Sequence, residues 1–362
     1  MIKRYDSEKI KQLVFNIYQA YGFSTDASRK VANTLIYTDL HGIESHGVQR
    51  LVMYDHFIQN GKIRVNSHPE IVKETDVSAV VDANFGIGQL NGIYSMNLAI
   101  EKAKKHGIGI VTTRRSGHYG IAGYYADMAA QQGLIGMSSC NSRPAMLPTH
   151  ATKAFVGTNP IAFAMPAKPH TFIFDCATTT VPQGKIEVYN KLEKDLPALW
   201  VAKNGAEPVY DHNQVDDFKA LRDPDSNVGL APLGGVTEET GSHKGFGLGI
   251  IVEVFTSILS MGNISTEITP ENLEVGPCQS FTAIDPAIFG DKQQIIDRFS
   301  RYLQDIRELP AIPGKTIYVH GDKEAAAYED RIKNGIEIDD RTLEEITDIA
   351  QRLGIEYAAF MK

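Results

Sequence analysis

The stretch from Ile108 to Gly133 restricts the fold of this chain more than any other. It opens on an apolar run, Ile108–Thr112, of the kind a buried strand makes. Beyond the turn, Ile121, Ala122, Tyr125, Met128 and Ala129 recur at helical spacing. The chain is thus predicted to pass from strand to helix through Gly117-His118-Tyr119-Gly120, a turn that carries a histidine between two glycines. The positive end of a helix dipole disfavours imidazolium, so a histidine held there stays neutral, the form a general base needs. The glycines let a ligand approach the backbone, and free N–H groups at a helix start favour anions. A histidine that merely caps or packs in a glycine-rich turn fits the same residues.

From about Ser78 onward, short strands alternate with helices. Ala79–Asp82, Leu134–Ser138, Ile161–Ala164 and Thr171–Cys176 are further strand-length runs. Gly86-Ile-Gly-Gln-Leu-Asn-Gly92 follows the first of them and opens a helix through Lys104. It resembles the dinucleotide fingerprint but has three residues, not two, before its last glycine. No acidic residue ends the next strand, so a Rossmann domain is not expected. The chain opens and closes with helices. Ser7 is placed to cap one that carries Ile10, Leu13, Val14, Ile17 and Tyr21, with Gly22 at its end. Ser24 or Asp26 starts the next, with Val31, Leu35 and Ile36 on one side. A Thr342/Glu345 capping box begins a last helix that buries Leu343, Ile346, Ile349 and Leu353. Tyr318–Glu324 reads as a strand-to-helix loop and residues 190–230 as polar surface excursions.

Charge and cysteine usage exclude several classes. A formal charge of −8 and a pI near 5.8 argue against nucleic-acid binding. The longest apolar run, Phe246–Met261, has 16 residues and contains Glu253, too short and too charged to span a bilayer. No secretion signal is expected, because no N-terminal segment joins a basic region to an apolar core and a cleavage site. Cys140, Cys176 and Cys278 are scattered and form no C-x-x-C, which points to reduced thiols in the cytoplasm. With 362 residues the chain has room for two domains.

Four polar segments are candidate chemistry. Asp39–Arg50 gathers Ser45, His46 and Arg50 between Gly42 and the residues after Gly47. No metal is expected there: His41 and His46 lack the H-E-x-x-H spacing, and no cysteine or carboxylate cluster completes a ligand set. Ser45 is not in G-x-S-x-G, which excludes a hydrolase elbow. Asn141, Ser142 and Arg143 stand at a strand end shaped by Pro144 and Pro148, and a second arginine beside Arg50 suits a substrate with two anionic ends. Asp175 ends a strand, where it could orient an imidazole or cap a turn, and Ala177-Thr-Thr-Thr180 follows it with hydroxyls. Gly241-Ser-His-Lys-Gly-Phe-Gly247 opens the most apolar helix with Lys244 against the dipole, a placement that a bound phosphate would reverse in sign.

Six motifs carry a family resemblance: HGIESHGVQR, SGHYGIAGYYADMA, CNSRPAM, VGTNPIA, FDCATTTVPQGKIEVY and HKGFGLG, in this order. Together they resemble the malate/L-lactate/L-sulfolactate dehydrogenase family, the non-Rossmann type of malate dehydrogenase, over nearly the whole chain. The resemblance implies an α/β (α+β) fold of the L-sulfolactate dehydrogenase kind. A helical domain from both chain ends (1–75 with 290–362) would stand beside a mixed-sheet domain for dinucleotide and substrate (76–289), in an intertwined homodimer. It implies nicotinamide-dependent interconversion of a 2-hydroxy and a 2-oxo acid, with NAD as the expected cofactor and NADP the alternative. His118 matches the family's general base, with His46 the second choice, and Arg50 its carboxylate-binding arginine. Ser45 and His46 match its hydroxyl relay and proton donor, with Asp175 the matching acid. Arg143 and Asn141 are assigned to substrate. The dinucleotide is expected at His118, Gly120, Ser142, Asp175, Ala177, Thr178, His243, Lys244, Gly321, Asp322 and Lys323. The chain departs from the family at Thr149–Lys153, in place of a glycine pair, and at His320–Glu324, in place of a Pro-Gly-Glu loop. With two arginines available, malate is the expected substrate. L-sulfolactate, L-lactate and ureidoglycolate are alternatives on the same scaffold, and a non-catalytic dinucleotide-binding protein is the alternative of another class.

Overall fold

The computed structural model describes residues 2–191, 193–205, 207–211, 226–269 and 272–361. Strands are numbered in chain order as β1 (Ile2–Tyr5), β2 (Glu70–Glu74), β3 (Ser78–Asp82), β4 (Ile108–Arg114), β5 (Ile135–Cys140), β6 (Ile161–Met165) and β7 (Phe172–Cys176). They continue as β8 (Val201–Lys203), β9 (Glu207–Pro208), β10 (Val228–Leu230), β11 (Gln279–Ile284) and β12 (Ile336–Asp339). The helices that matter are α1 (Ser7–Ala20), α2 (Thr25–Leu40), α3 (Leu51–Gln59), α4 (Gly88–His106), α5 (Ala122–Ala130) and α6 (Gln183–Lys191). After them come α7 (Ser242–Glu253), α8 (Lys292–Arg307), α9 (Asp322–Asn334) and α10 (Asp340–Arg352).

The central sheet has seven strands in the order β2-β3-β4-β11-β5-β6-β7. Only β3 and β4 run parallel; the other pairings are antiparallel, so the sheet is mixed and not Rossmann-like. Alternation along β4 explains how both faces are covered. Val111 faces a core with Met96, Ala99 and Ile100 of α4 and with Tyr125, Ala126 and Ala129 of α5. Arg114 points the other way and donates to the Ser260 carbonyl, just beyond a π-helical segment, Val254–Ile258, that prolongs α7. A second core joins the two chain ends. Ile10, Leu13, Leu35 and Leu51 pack with Ile336, Ile346 and Ile349, while β1 pairs antiparallel with β12. Each such side chain, fully buried, adds roughly 1.5–3 kcal/mol of apolar burial. No helix among the described residues is long and apolar enough to cross a membrane.

Several local expectations need correction. Asp6, not Ser7, caps α1, accepting from the amides of Glu8 and Lys9 at 2.9 and 3.0 Å. Asp339 caps α10 in place of Thr342, whose hydroxyl instead donates to the Asp339 carboxylate at 2.6 Å. In both cases a carboxylate can satisfy the first amides and also meet the positive end of the dipole, which a hydroxyl cannot. Ser24, the first of its two candidates, caps α2. Residues 190–230 are not surface excursions throughout: β8, β9 and β10 form a small antiparallel sheet over a core of Ala145, Val181, Ile186, Leu196, Val201, Val209, Val228 and Leu230. Residues 192, 206 and 212–225 of that stretch lie outside the described ones. No strand precedes α9 within Tyr318–Glu324, where the chain enters the helix from irregular backbone.

Candidate active site

The turn between β4 and α5 delivers His118 into a crowded place. Its ring stacks on His46 with centroids 5.7 Å apart at 22°, and its Nδ1 lies 2.7 Å from the Tyr54 hydroxyl. The imidazole is held well below the ordinary histidine range, first by burial and then by His46 and Arg50. It is therefore neutral, but the expected reason was wrong. α5 begins only at Ala122, with Ile121 as its cap, so burial and neighbouring positive charge set the protonation state rather than the dipole.

His46 comes from a loop made of two short 3-10 turns, Glu44–His46 and Val48–Arg50, between α2 and α3. Burial, with Arg50 as second cause, pushes its imidazole down to about 4. Ser45 Oγ is 2.8 Å from His46 Nδ1, and Arg50 Nε donates to the Ser45 carbonyl at 2.5 Å. The loop is clamped from below by buried Asp39, whose carboxylate accepts from the Val48 amide at 2.9 Å. A Cβ on Gly47 would sit 1.9 Å from that carboxylate, so only glycine fits there. Arg331 of α9 donates to the Asp39 carbonyl at 2.6 Å and pairs with Glu44, tying the loop to the distant end of the chain.

Both arginines approach the start of α6. Arg143 Nη2 lies 3.4 Å from Gln183 Oε1. A Cβ on the next residue, Gly184, would lie 3.4 Å from Arg50 Nη2 and 3.6 Å from the Ser45 Cβ. Arg143 and Arg50 thus both reach one helix terminus, and Arg50 also acts on the imidazole pair. Asn141 is placed differently. It is fully buried, accepts from the Cys278 amide at 2.7 Å, and donates to Asn263 O at 2.8 Å and Glu253 Oε2 at 3.2 Å. Its carboxamide braces the joint between β5, β11 and the π segment, not the imidazoles.

Asp175 likewise serves a backbone. Its Oδ2 accepts from the Gly123 amide at 2.7 Å, capping α5 from a neighbouring strand, and no imidazole among the described residues is bonded to it. Burial raises its carboxyl to about 6 despite the amide bonds of Gly123 and Ala122. Beyond β7, Ala177 leads to Thr178, whose amide and hydroxyl both donate to the Thr158 carbonyl at 2.9 and 3.1 Å. Ser142 Oγ accepts from the Thr158 amide at 3.1 Å, and Thr178 O accepts from the Leu233 amide at 2.8 Å. Leu233 also abuts Gly245 in the first turn of α7, so Ser142, Thr178 and the exposed His243 and Lys244 belong to one hydroxyl- and amide-rich patch. Gly120, at φ +83°, faces Thr34 of α2. Gly321, at φ +101°, lies against β7, where a Cβ would come 2.7 Å from the Thr171 carbonyl. Asp322 is taken up by Arg307 at 2.8 Å, His170 at 2.9 Å and the Val319 amide at 2.8 Å, while Lys323 sits over the Tyr318 ring.

Sequence reasoning missed Tyr54, Asp39 and Arg331. Tyr54 carried a readable signal, standing four residues after Arg50 at the start of a helix and so on the same face. Asp39 and Arg331 carried none, because they act on backbone through contacts far apart in sequence.

The pattern of a family described as malate/L-lactate dehydrogenase matches residues 5–347. The malate dehydrogenase of Pyrococcus abyssi is 38% identical over 355 residues, which cover 98% of this chain and 96% of that protein. The malate/(S)-sulfolactate dehydrogenase of Methanothermus fervidus is 33% identical over 356 residues, covering 96% and 98%. The crystal structure of malate dehydrogenase from Entamoeba histolytica superposes with a TM-score of 0.94 at 33% identity, over 98% of this chain and 99% of that one.

Proposed function

Because the chain belongs to the malate/L-lactate dehydrogenase family, a family of 2-hydroxy-acid dehydrogenases, we propose that it interconverts malate and oxaloacetate with NAD. The observation that carries this reading is a pair of guanidiniums, Arg50 and Arg143, that both approach the first turn of α6, with Arg50 beside two neutral imidazoles. A dicarboxylate has two anionic ends, one for each guanidinium, whereas lactate has one. A sulfonate in place of the second carboxylate meets the same cation, so sulfolactate is the second reading.

In the oxidative direction the hydroxyl proton must leave as the C–H bond breaks. His118 is neutral and has Nδ1 turned to Tyr54, so Nε2 is the nitrogen that receives the proton. Arg50 holds the C1 carboxylate and orients the carbon toward that nitrogen. The Ser45–His46 pair stands against the His118 ring and can pass the proton onward. The hydroxyl and amide patch at Ser142, Thr158 and Thr178, with Lys244 at a helix N-terminus, suits a pyrophosphate and fits a dinucleotide. Bound there, the nicotinamide supplies the hydride chemistry. We favour NAD over NADP because Arg307 and His170, two of the basic groups near the Gly321–Lys323 loop, are already paired with Asp322, and Lys323 lies over the Tyr318 ring.

A homodimer is part of the same proposal. It is supported by the apolar side chains that α7 and its extension leave exposed, among them Ile250, Ile251, Phe255, Ile258 and Met261. A cytoplasmic setting is supported by the three free cysteines. The decisive experiment offers oxaloacetate, pyruvate, sulfopyruvate and oxalurate to the purified protein with NADH and then NADPH, following nicotinamide absorbance. Preference for oxaloacetate with NADH is expected. Turnover of pyruvate or oxalurate in preference removes the two-clamp assignment, and saturable NADH binding with no turnover removes the enzyme assignment.

A further inference from the structure

Glu253, the last residue of α7, is the one charged side chain in the apolar run Phe246–Met261. Its helix and the π segment leave Ile250, Ile251 and Phe255 exposed, yet the carboxylate turns the other way, into the protein. Among the described residues it accepts four side-chain hydrogen bonds. Oε1 takes the Asn159 carboxamide at 3.0 Å and the Ser265 hydroxyl. Oε2 takes the Ser257 hydroxyl at 2.7 Å and the Asn141 carboxamide at 3.2 Å. All four donor residues are buried. A group that only accepts suits such a ring of donors, and bonds to a carboxylate are the stronger kind.

The donors connect the carboxylate to two segments of the hydroxyl and amide patch. Asn159 Oδ1 accepts from the Ser142 amide at 3.1 Å. Asn159 itself stands at φ +37°, left-handed backbone directly before Pro160, a conformation that persists only where the surroundings over-determine it. Ser265 Oγ accepts from the Gly157 amide at 3.0 Å. Asn141 precedes Ser142 and anchors it to β11 by accepting from the Cys278 amide. All three routes lead from Glu253 to residues 141–142 and 157–159. Within them the half-buried Ser142 accepts from the Thr158 amide at 3.1 Å, but its hydroxyl proton has only long contacts, 3.3 Å to the Arg143 carbonyl and 3.4 Å to Thr158 Oγ1. A hydroxyl so placed is poised to donate to an acceptor oxygen brought by a ligand.

We propose that Glu253 is a positioning residue for the dinucleotide: through Asn159, Ser265 and Asn141 it holds the Ser142 and Thr158 segments in the arrangement that receives a phosphate group. This assignment deepens the dinucleotide reading of the patch and rests on it. The network demands a carboxylate rather than a mere filler of the same shape. Glutamine would place an NH2 group on one of the two arms. The serines can turn to accept from it, but neither asparagine can. A flipped Asn159 would set its Nδ2 against the Ser142 amide and its Oδ1 against the Gly249 carbonyl, to which Nδ2 now donates at 3.0 Å. A flipped Asn141 would meet the Cys278 amide and the Asn263 carbonyl in the same wrong sense. One asparagine must therefore part from the substituted side chain and release its segment.

Two measurements on the full chain test this without turnover: NADH affinity by fluorescence titration, and amide hydrogen exchange of the ligand-free protein by mass spectrometry. Glu253→Gln is expected to raise the NADH Kd about fivefold to tenfold, the weight of one hydrogen bond. It is also expected to speed exchange in peptides covering Ser142 and Gly157–Asn159 while those of β4 stay as in wild type. Ser257→Ala removes a donor on the π segment and leaves both asparagines in place, so it lowers the melting temperature at most and keeps Kd within twofold. In an Asn159→Gly background the glutamine NH2 has room on the emptied arm, and Glu253→Gln then weakens NADH less than twofold further. Asn159→Gly alone, whose glycine accepts the left-handed backbone, carries the same expected loss and decides the matter should Glu253→Gln fail to fold. Either readout unchanged in Glu253→Gln, an equal Kd loss in Ser257→Ala, or full additivity with Asn159→Gly overturns the proposal and leaves the dinucleotide reading standing. A wild type that binds neither NADH nor NADPH overturns that reading and the proposal with it.

Discussion

Replacing Arg143 by alanine tests how the site tells a dicarboxylate from a monocarboxylate. The guanidinium reaches toward Gln183 across a 3.4 Å contact. What it should remove is a charge-assisted bond to the second acidic end of the substrate. Such bonds contribute about 1.5–3 kcal/mol. Arg143 is only half-buried, so solvent screening sets the lower part of that range, about 1.5–2 kcal/mol. By transition-state arithmetic that is about a 10- to 30-fold loss in kcat/KM. The loss should fall on oxaloacetate and spare pyruvate, whose single carboxylate the proposal assigns to Arg50. Steady-state rates with both oxo acids at saturating NADH give the ratio directly, and Arg50→Ala supplies the contrast, lowering both together. Equal losses on both substrates from Arg143→Ala would mean that this arginine does not read the second acid, and the choice of malate over lactate would then have no structural support.

The remaining expectations concern protonation and packing. Asp175 has its carboxyl raised to about 6 from an ordinary 3.8, so its contribution to stability is full below pH 3.8 and fades as pH rises through 6. Asp175→Asn should remove that slope, gaining about 2 kcal/mol relative to wild type between pH 4 and 7 after allowance for partial exposure, as read by urea unfolding. His46 has the opposite sign: depressed from 6.5 to about 4, it stabilises the fold above pH 6.5 and loses that contribution as pH falls toward 4. His46→Gln should flatten the acid side of the same unfolding profile, and an unchanged slope would show that the ring titrates normally. Gly88→Ala would drive a methyl to 2.3 Å from the Gly117 and His118 carbonyls, so kcat should fall at least tenfold and stability by about 1–3 kcal/mol. Activity and melting temperature indistinguishable from wild type would show that the histidine turn can yield.

Legibility in the sequence followed the range of the interaction. The strand-turn-helix around His118 was readable because period and glycine placement are local signals, and β4 and α5 appear within a few residues of where they were expected. Ser45, His46 and Arg50 were readable as a group because a single loop carries all three. The cause of the neutral imidazole was not readable. Burial of His118 depends on α3, the 41–50 loop and α4 closing around it, none of which its own sequence neighbourhood describes. The caps of α1 and α10 were misplaced for a different reason: Ser and Thr stood in plausible positions, and a nearby carboxylate outcompeted each.

The glycines of residues 86–92 show how one signal can carry two physical meanings. In a Rossmann fingerprint glycine allows a phosphate to approach the backbone. In this chain the nearest groups to a Cβ on Gly88 are the carbonyl oxygens of Gly117 and His118, and the nearest to one on Gly92 is the Tyr125 ring. These glycines admit protein backbone and an aromatic face instead of a ligand, and the altered spacing is what that different task requires. Close approach is the shared cause, so a glycine pattern read alone reports that something comes near without saying what. The identity of the neighbour is written elsewhere in the chain, in β4 and the turn that follows it. Seating the helix on the histidine turn fixes where His118 stands, and no motif in residues 86–92 announces it.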